Sequence, residues 1–121
     1  MTTVLLVDDS RAIRGIGRKI VEGLGMQALE ACDGAEALTI CQKHPEVDAV
    51  LLDWNMPVMN GLEFLTALRA EQRRQPIVVM CTTENDFDHI STALAAGANE
   101  YVMKPFTDEI LREKLQEAGV L

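Results

Sequence analysis

Aromatic residues and cysteines are both scarce in this chain of 121 residues, of which only 4% are Phe, Trp or Tyr. The three cysteines, Cys32, Cys41 and Cys81, are too few and too scattered for a metal cluster. Their odd number argues against a complete disulfide framework. We therefore expect three reduced, mostly buried thiols.

Long apolar runs and an excess of positive charge are also missing. No apolar run approaches the roughly 20 residues that a membrane span needs, and no basic region with a signal core follows Met1. The chain has 19 Asp and Glu against 11 Lys and Arg, a formal net charge of −8. Because this charge repels phosphate backbones and anionic lipids, we expect no nucleic-acid or membrane partner. Because the sequence has no membrane span and no signal core, we expect a cytoplasmic location.

The residues that are present indicate one folded domain. Hydrophobic residues make up 48% of the chain and charged residues 25%, without a long Pro, Ser or Gln tract. This composition and length match a single soluble domain with one core, and they leave no room for a second domain. We expect residues 1–121 to form that domain.

Five short segments read as strands. Three are continuous apolar runs, Val4–Val7, Ala49–Leu52 and Ile77–Cys81, as is typical of strands covered on both faces. Two weaker, partly polar segments, Gln27–Ala31 and Tyr101–Met103, fit strands nearer the sheet edges. The sequence thus predicts three central strands and two outer ones.

Helical patterns separate these strands and follow the last one. Residue types that favour helix N-caps precede the apolar stripes at Ser10, Asp33, Asn60 and Thr107. Apolar residues of these stripes include Ile13, Ile16, Ile20 and Leu24 in the first helix, Leu94 in the fourth, and Ile110, Leu111 and Leu115 in the fifth. The strand–helix order, repeated five times, predicts one doubly wound parallel α/β sheet with helices on both faces.

Polar residues end four of the five predicted strands. Asp8 and Asp9 follow the first run, Asp53 the third, Thr82 the fourth and Lys104 the fifth. In open α/β sheets, ligands bind beyond the carboxyl ends of the strands. We therefore expect these side chains to form one site.

Three carboxylates at one edge require a compensating cation. Without one, each raises the pKa of the others. Their oxygen ligands suit Mg²⁺ or Mn²⁺, and one divalent ion together with Lys104 would balance the charges of Asp8, Asp9 and Asp53. The sequence thus predicts a magnesium site.

The chain lacks the motifs of other common sites. It has no P-loop, dinucleotide glycine pattern, His-rich ligand set or Ser/His/Asp arrangement, and neither His44 nor His89 ends a strand. What remains is a carboxylate beside a metal, a hydroxyl and an ammonium group. Such a carboxylate can attack phosphorus as a nucleophile and then hold the phosphoryl group as an acyl phosphate. Asp53 is the best nucleophile because it stands alone on a central strand. Thr82 and Lys104 would hold the phosphoryl oxygens.

Five motifs follow one another along the chain: Val7-Asp8-Asp9-Ser10, Leu52-Asp53-Trp54-Asn55-Met56-Pro57, Asn60-Gly61, Thr82 and Tyr101-Val102-Met103-Lys104-Pro105-Phe106. With these motifs the sequence resembles, over essentially its whole length, the receiver domain of two-component response regulators, and most of all the single-domain chemotaxis members. It implies the flavodoxin-like (βα)5 receiver fold with strand order 2-1-3-4-5, and a cis peptide bond before Pro105.

The resemblance also implies roles for single residues. Asp53 would be the phosphoacceptor, and the metal ligands would be Asp8, Asp9, Asp53 and the backbone carbonyl of Asn55. Thr82 and Tyr101 would form the switch pair, and Lys104 would contact the phosphoryl group. One departure from many family members is Thr83, whose bulk would narrow access to Asp53.

The same resemblance implies partners on both sides of a signalling step. A sensor histidine kinase or phosphotransfer protein would donate the phosphoryl group. A downstream protein would bind the surface of the fourth helix, fifth strand and fifth helix, around Thr92, Asn99, Tyr101 and Lys114. Since the chain ends soon after the fifth helix, we expect no output domain.

Two other functions fit the residues less well. A Mg²⁺-dependent phosphohydrolase with an aspartyl nucleophile usually has a cap segment over the strand ends, and the short loops offer none. A phosphorylation-independent interaction module would not need the complete acidic site. The leading hypothesis is therefore a phosphoaccepting signalling protein that is not an enzyme acting on a separate substrate.

Overall fold

Strands and helices alternate from end to end of the computed structural model, which describes residues 1–82 and 87–121. The strands are β1 (Thr3–Val7), β2 (Gln27–Ala31), β3 (Ala49–Asp53), β4 (Ile77–Thr82) and β5 (Glu100–Met103). The helices are α1 (Arg11–Gly23), α2 (Gly34–Lys43), α3 (Gly61–Ala70), α4 (Phe87–Ala95) and α5 (Asp108–Glu117). Every strand bound lies within one residue of its predicted position. Among the described residues, no helix has the length and apolar character needed to cross a bilayer.

The five strands form one parallel sheet in the order β2-β1-β3-β4-β5. The chain adds β2 on one side of β1, then returns across β1 to add β3 on the other side. The strand order therefore reverses between β1 and β3, and such a switch point leaves a crevice at the carboxyl ends of the strands. This fold confirms the predicted α/β class and the strand order that the resemblance implied.

The predicted helix caps are present in the structure. The side chains of Ser10, Asp33, Asn60 and Thr107 each accept a hydrogen bond from the backbone N–H three residues later. Asn60 and Glu63 form a reciprocal capping box. These local bonds fix where the helices begin after the loops at the carboxyl edge.

The core consists of two apolar layers, one on each face of the sheet. One layer packs β-strand residues against α2, α3 and α4, and the other packs them against α1 and α5. The continuous apolar runs of β1, β3 and β4 are buried, apart from the half-buried Ile77, because helices cover both faces.

Three residues of the predicted helical stripes are exposed instead of buried. The exposed fractions of Ile16, Leu94 and Ile110 are 51%, 44% and 43%. In α1 the buried residues are Gly17, Ile20 and Val21, so the buried face is centred one residue later than the Ile16 stripe. A Cβ at Gly17 would lie 3.4 Å from Leu6, so the glycine lets α1 lie close to the sheet.

The three cysteines are free thiols, as expected, but only two are buried. Burial raises the pKa of the Cys41 thiol to about 11 and that of the Cys81 thiol to about 12. Cys32 is exposed because it lies just beyond the end of β2. The expectation of mostly buried thiols thus holds for Cys41 and Cys81 and is wrong for Cys32.

Candidate functional site

The three predicted carboxylates meet at the crevice between β1 and β3. Asp8, Asp9 and Asp53 each place a carboxylate oxygen so that the three atoms lie within 4.8 Å of one another. Asp8 and Asp53 are buried, whereas Asp9 is exposed. An open cleft of about 630 Å³ lies over them, and its lining residues are Asp8, Asp9, Ser10, Ile13, Asp53, Asn55, Lys104 and Pro105.

Local hydrogen bonds hold Asp8 in place. Its backbone N–H donates to the carbonyl of Ala31 at 3.2 Å, which extends the β1–β2 pairing by one residue. Its carboxylate accepts the backbone N–H of Ser10 at 2.9 Å, and its carbonyl accepts Nη1 of Arg14 at 2.7 Å. The carboxylate therefore points from the end of β1 into the cleft in a fixed orientation.

The loop after β3 is shaped by Gly61, the first residue of α3. Its backbone N–H donates to the carbonyl of Trp54 at 2.9 Å. A Cβ at this position would collide with the backbone carbonyl of Asp53 and lie 3.1 Å from Cα of Trp54. Only glycine lets α3 begin this close to the end of β3, and this contact fixes the backbone at Asp53.

Lys104 joins the two buried carboxylates. Its Nζ lies 2.9 Å from Oδ2 of Asp8 and 3.1 Å from Oδ1 of Asp53. Burial acts to lower the pKa of this ammonium group, but the bonds and charges of Asp8 and Asp53 outweigh burial and raise it. The ammonium group is therefore an internal counter-ion for both carboxylates.

One ammonium group does not neutralise the cluster. Burial and then the charge of Asp8 raise the pKa of Asp53, even though Lys104 acts in the opposite direction. Three carboxylates with one ammonium group leave two excess negative charges. The carboxylates offer oxygen ligands, which are those of Mg²⁺ and Mn²⁺, so the residues present fit one divalent cation.

The structure places Thr82 and Tyr101 beside this cleft rather than in its lining. Thr82 ends β4 and is buried, and its hydroxyl donates to Sδ of Met103 on β5 at 3.3 Å. Tyr101 is half-buried, with Nζ of Lys114 4.7 Å from its ring centroid. Both residues belong to the β4–β5 pair. Thr83 lies outside the described residues.

Two groups of contacts at this edge were not predicted. Trp54 stacks on His89 of α4, and Glu30 of β2 pairs with both Arg14 and Arg18 of α1. The pairs with Glu30 could not be predicted, because nothing in the sequence shows which acidic residue lies opposite Arg14 and Arg18. The Trp54–His89 pair leaves no sequence signal at all, since 35 residues separate its members.

Comparisons with known proteins point to one family. A family model described as the response regulator receiver domain matches residues 4–116. A chemotaxis protein CheY homolog of Campylobacter jejuni is 42% identical over 116 residues, which cover 94% of this chain and 89% of that protein. Chemotaxis protein CheY1 of Helicobacter pylori is 41% identical over 115 residues, or 93% of both chains.

Solved structures show the same fold. Chemotaxis protein CheY4 of Vibrio cholerae superposes with a TM-score of 0.90 at 38% identity, over 98% of both chains. A probable two-component response regulator/GGDEF domain protein superposes with a TM-score of 0.90 at 28% identity. There the match covers 98% of this chain but 49% of the other, so the fold also occurs as half of a longer protein.

Proposed function

On the premise that this chain belongs to the response regulator receiver family and is homologous to CheY chemotaxis regulators, we propose that Asp53 accepts a phosphoryl group. The observation that carries the proposal is the geometry of Asp53: it ends a central strand in a cluster of three carboxylates, and Lys104 contacts it at 3.1 Å. The chain is then a phosphoaccepting signalling protein of a two-component system.

The reaction is a transfer from nitrogen to oxygen. A carboxylate oxygen of Asp53 attacks phosphorus in the phosphohistidine of a histidine kinase or phosphotransfer protein, and an O–P bond forms as the N–P bond breaks. The electron pair of the broken bond stays on the donor imidazole, which takes up a proton. The product on this chain is an aspartyl phosphate.

Two positive charges would assist this transfer. Lys104 already faces Asp53 and would contact a phosphoryl oxygen. Mg²⁺, for which Mn²⁺ can substitute, would be held by Asp8, Asp9, Asp53 and the backbone carbonyl of Asn55. When bound, the ion offsets the negative charge of the acceptor and of the incoming phosphoryl group.

The output is a change of protein binding. The Thr82 hydroxyl, which contacts Met103 here, would turn toward the phosphoryl group, and Tyr101 on the neighbouring strand would respond. A downstream protein would bind the surface of α4, β5 and α5 around Thr92, Asn99, Tyr101 and Lys114. Residues 1–121 would act as one receiver domain in the cytoplasm, with no nucleic-acid or membrane partner. The protein would catalyse only its own phosphorylation and dephosphorylation.

Acetyl phosphate tests the acceptor directly. With Mg²⁺ and acetyl phosphate, the wild-type chain is expected to gain one phosphoryl group by intact-mass spectrometry. Asp53→Asn is expected to gain none, because it keeps the shape of the side chain but removes the nucleophile. Asp108→Asn on α5, an exposed position outside the cleft, is the matched control and is expected to label like wild type. Full labelling of Asp53→Asn would show that another residue is the acceptor.

A further inference from the structure

The rings of Trp54 and His89 form a parallel stack. Their centroids are 4.2 Å apart, and their planes differ by 13°. Trp54 directly follows Asp53, and His89 is the third residue of α4. The stack therefore joins the loop that carries Asp53 to α4 by a direct contact that passes through neither β4 nor β5.

At one end of the stack, the backbone ties Trp54 to the carboxylate of Asp53. The backbone N–H of Trp54 adjoins this carboxylate and acts to lower its pKa. The carbonyl of Trp54 accepts the N–H of Gly61 at 2.9 Å, at the close approach where α3 begins. Because the backbone of Trp54 adjoins the Asp53 carboxylate and is bonded to the start of α3, we expect Trp54 to respond when the charge or position of this carboxylate changes.

At the other end, the described side chains of α4 form only a small buried face. Of its residues with described side chains, Ile90 and Ala93 are buried, and Leu94 is 44% exposed. His89 is half-buried. A helix with few buried apolar contacts opens or shifts at a low free-energy cost. An aromatic stack is worth about 0.5–1.5 kcal/mol beyond its buried area in aromatic pairs, so the stack adds significantly to what Ile90 and Ala93 contribute.

We infer that His89 is a positioning residue that couples α4 to the state of Asp53 by stacking on Trp54. The stack acts in parallel with the proposed Thr82–Tyr101 connection, and the inference rests on the proposed function of Asp53. Loading the acidic site moves the Trp54 backbone, the indole ring carries this movement to His89, and α4 shifts or changes its local stability.

Hydrogen exchange at α4 tests the coupling. The site is loaded with Mg²⁺ and beryllofluoride, an analogue of the aspartyl phosphate, and exchange of residues 87–95 is compared with and without loading. We expect the wild type to show a change there, and we expect His89→Ala to reduce this change by about twofold or more. The emission of Trp54, the only tryptophan, is recorded in the same samples and is expected to respond less in His89→Ala.

Three further variants distinguish stacking from bulk and from histidine itself. His89→Phe keeps a flat ring and is expected to retain the response of α4. His89→Leu keeps apolar volume without a ring and is expected to lose it. His44→Ala removes the only other histidine, which is exposed at the end of α2, and is expected to behave like wild type.

Labelling by acetyl phosphate separates this inference from the proposed function. If the wild type is not labelled, the proposed function fails, whatever α4 does. If the wild type and His89→Ala are both labelled and α4 responds equally in both, His89 does not couple the site to α4.

The inference is also wrong if α4 of the labelled wild type does not respond, or if His89→Phe loses the response as His89→Leu does. Should His89→Ala not fold, the comparison of His89→Phe with His89→Leu decides.

Discussion

At the scale of single residues, the folded state disfavours the ionised form of Asp53. Burial and the neighbouring charge of Asp8 raise its pKa above the value of 3.8 expected for an unperturbed carboxyl group. The folded protein then binds this proton more tightly than the unfolded chain does. The free energy of unfolding therefore falls as the pH rises from the unfolded pKa through the folded pKa, and at neutral pH the ionised Asp53 destabilises the fold.

Replacing Asp53 should consequently stabilise the protein. We expect Asp53→Asn to have a higher free energy of unfolding than wild type at pH 7, because the amide removes the buried charge. The difference should shrink as the pH is lowered through the folded pKa, since wild-type Asp53 then becomes neutral as well. Urea denaturation at several pH values, without divalent cations, measures both effects. A variant that is less stable at pH 7, or a difference independent of pH, would contradict this account.

Val58, in the loop after β3, has a strained backbone conformation. Its φ is 68°, in the left-handed region that β-branched residues rarely adopt, and its side chain is 84% exposed. Since the side chain buries little surface, its replacement loses little packing. Asn tolerates positive φ much better.

We therefore expect Val58→Asn to raise the free energy of unfolding by about 1 kcal/mol. Val58→Thr keeps the branched Cβ and should remain close to wild type, which makes it the matched control. Urea denaturation of the three proteins is the measurement. Equal stability of Val58→Asn and Val58→Thr would show that backbone strain at this position is negligible.

At the scale of helices and strands, the features that depend on residues close together in the sequence were predictable. The caps at Asn60 and Thr107 belong to these features, because each capping side chain accepts the backbone N–H only three residues later in the chain. The buried strands were predictable because both faces of the sheet are covered. The carboxyl-edge site followed from these strand ends, since parallel strands bring Asp8, Asp53 and Lys104 to the same edge.

Contacts between elements that are far apart in the sequence could not be predicted, because no local sequence pattern marks them. The N–H groups at Nε and Nη2 of Arg69, on α3, donate hydrogen bonds to the carbonyl of Gly97, at 3.0 and 2.8 Å. The N–H group at Nη1 donates to the carbonyl of Pro76 at 2.9 Å. Arg69 thereby ties the end of α3 to the turn between α4 and β5 and to the start of β4. In the sequence Arg69 is one of 11 cationic residues and lies 28 positions from Gly97, so its partners could not be predicted.

The Arg69 contacts should stabilise the fold measurably. We expect Arg69→Met, which keeps an apolar stem, to lower the free energy of unfolding by about 2 kcal/mol, because the carbonyls of Gly97 and Pro76 lose charged donors. Arg112→Met, at an exposed position of α5, removes the same charge and should change stability little. Chemical denaturation compares the two variants, and equal losses would mean that Arg69 acts only through its charge.

At the scale of the whole molecule, the acidic cluster links stability to divalent cations. A ligand that binds only the folded state adds RT ln(1 + [L]/Kd) to the free energy of unfolding. With Mg²⁺ at tenfold its Kd this is about 1.4 kcal/mol, or about 5 °C in Tm for a domain of this size.

We expect thermal unfolding to show this increase with Mg²⁺ relative to EDTA, and we expect Asp9→Ala to lose most of it. Asp9 is exposed, so its replacement removes a proposed ligand without disturbing the core. The same Tm in Mg²⁺ and EDTA would argue against a metal site at this edge.

The bond between Lys104 and Asp8 also determines when the site first exists during synthesis of the chain. Its two residues are 96 positions apart, so at about 5–20 residues per second the ribosome adds the lysine roughly 5–20 s after the aspartate. Until β5 has paired with β4, the first strand carries its carboxylates without their ammonium partner. A nascent or prematurely terminated chain that lacks β5 therefore lacks the ammonium group of this site. On the proposed function of Asp53, we expect such fragments to accept few phosphoryl groups from a donor, so that signalling is confined to chains whose last strand is in place.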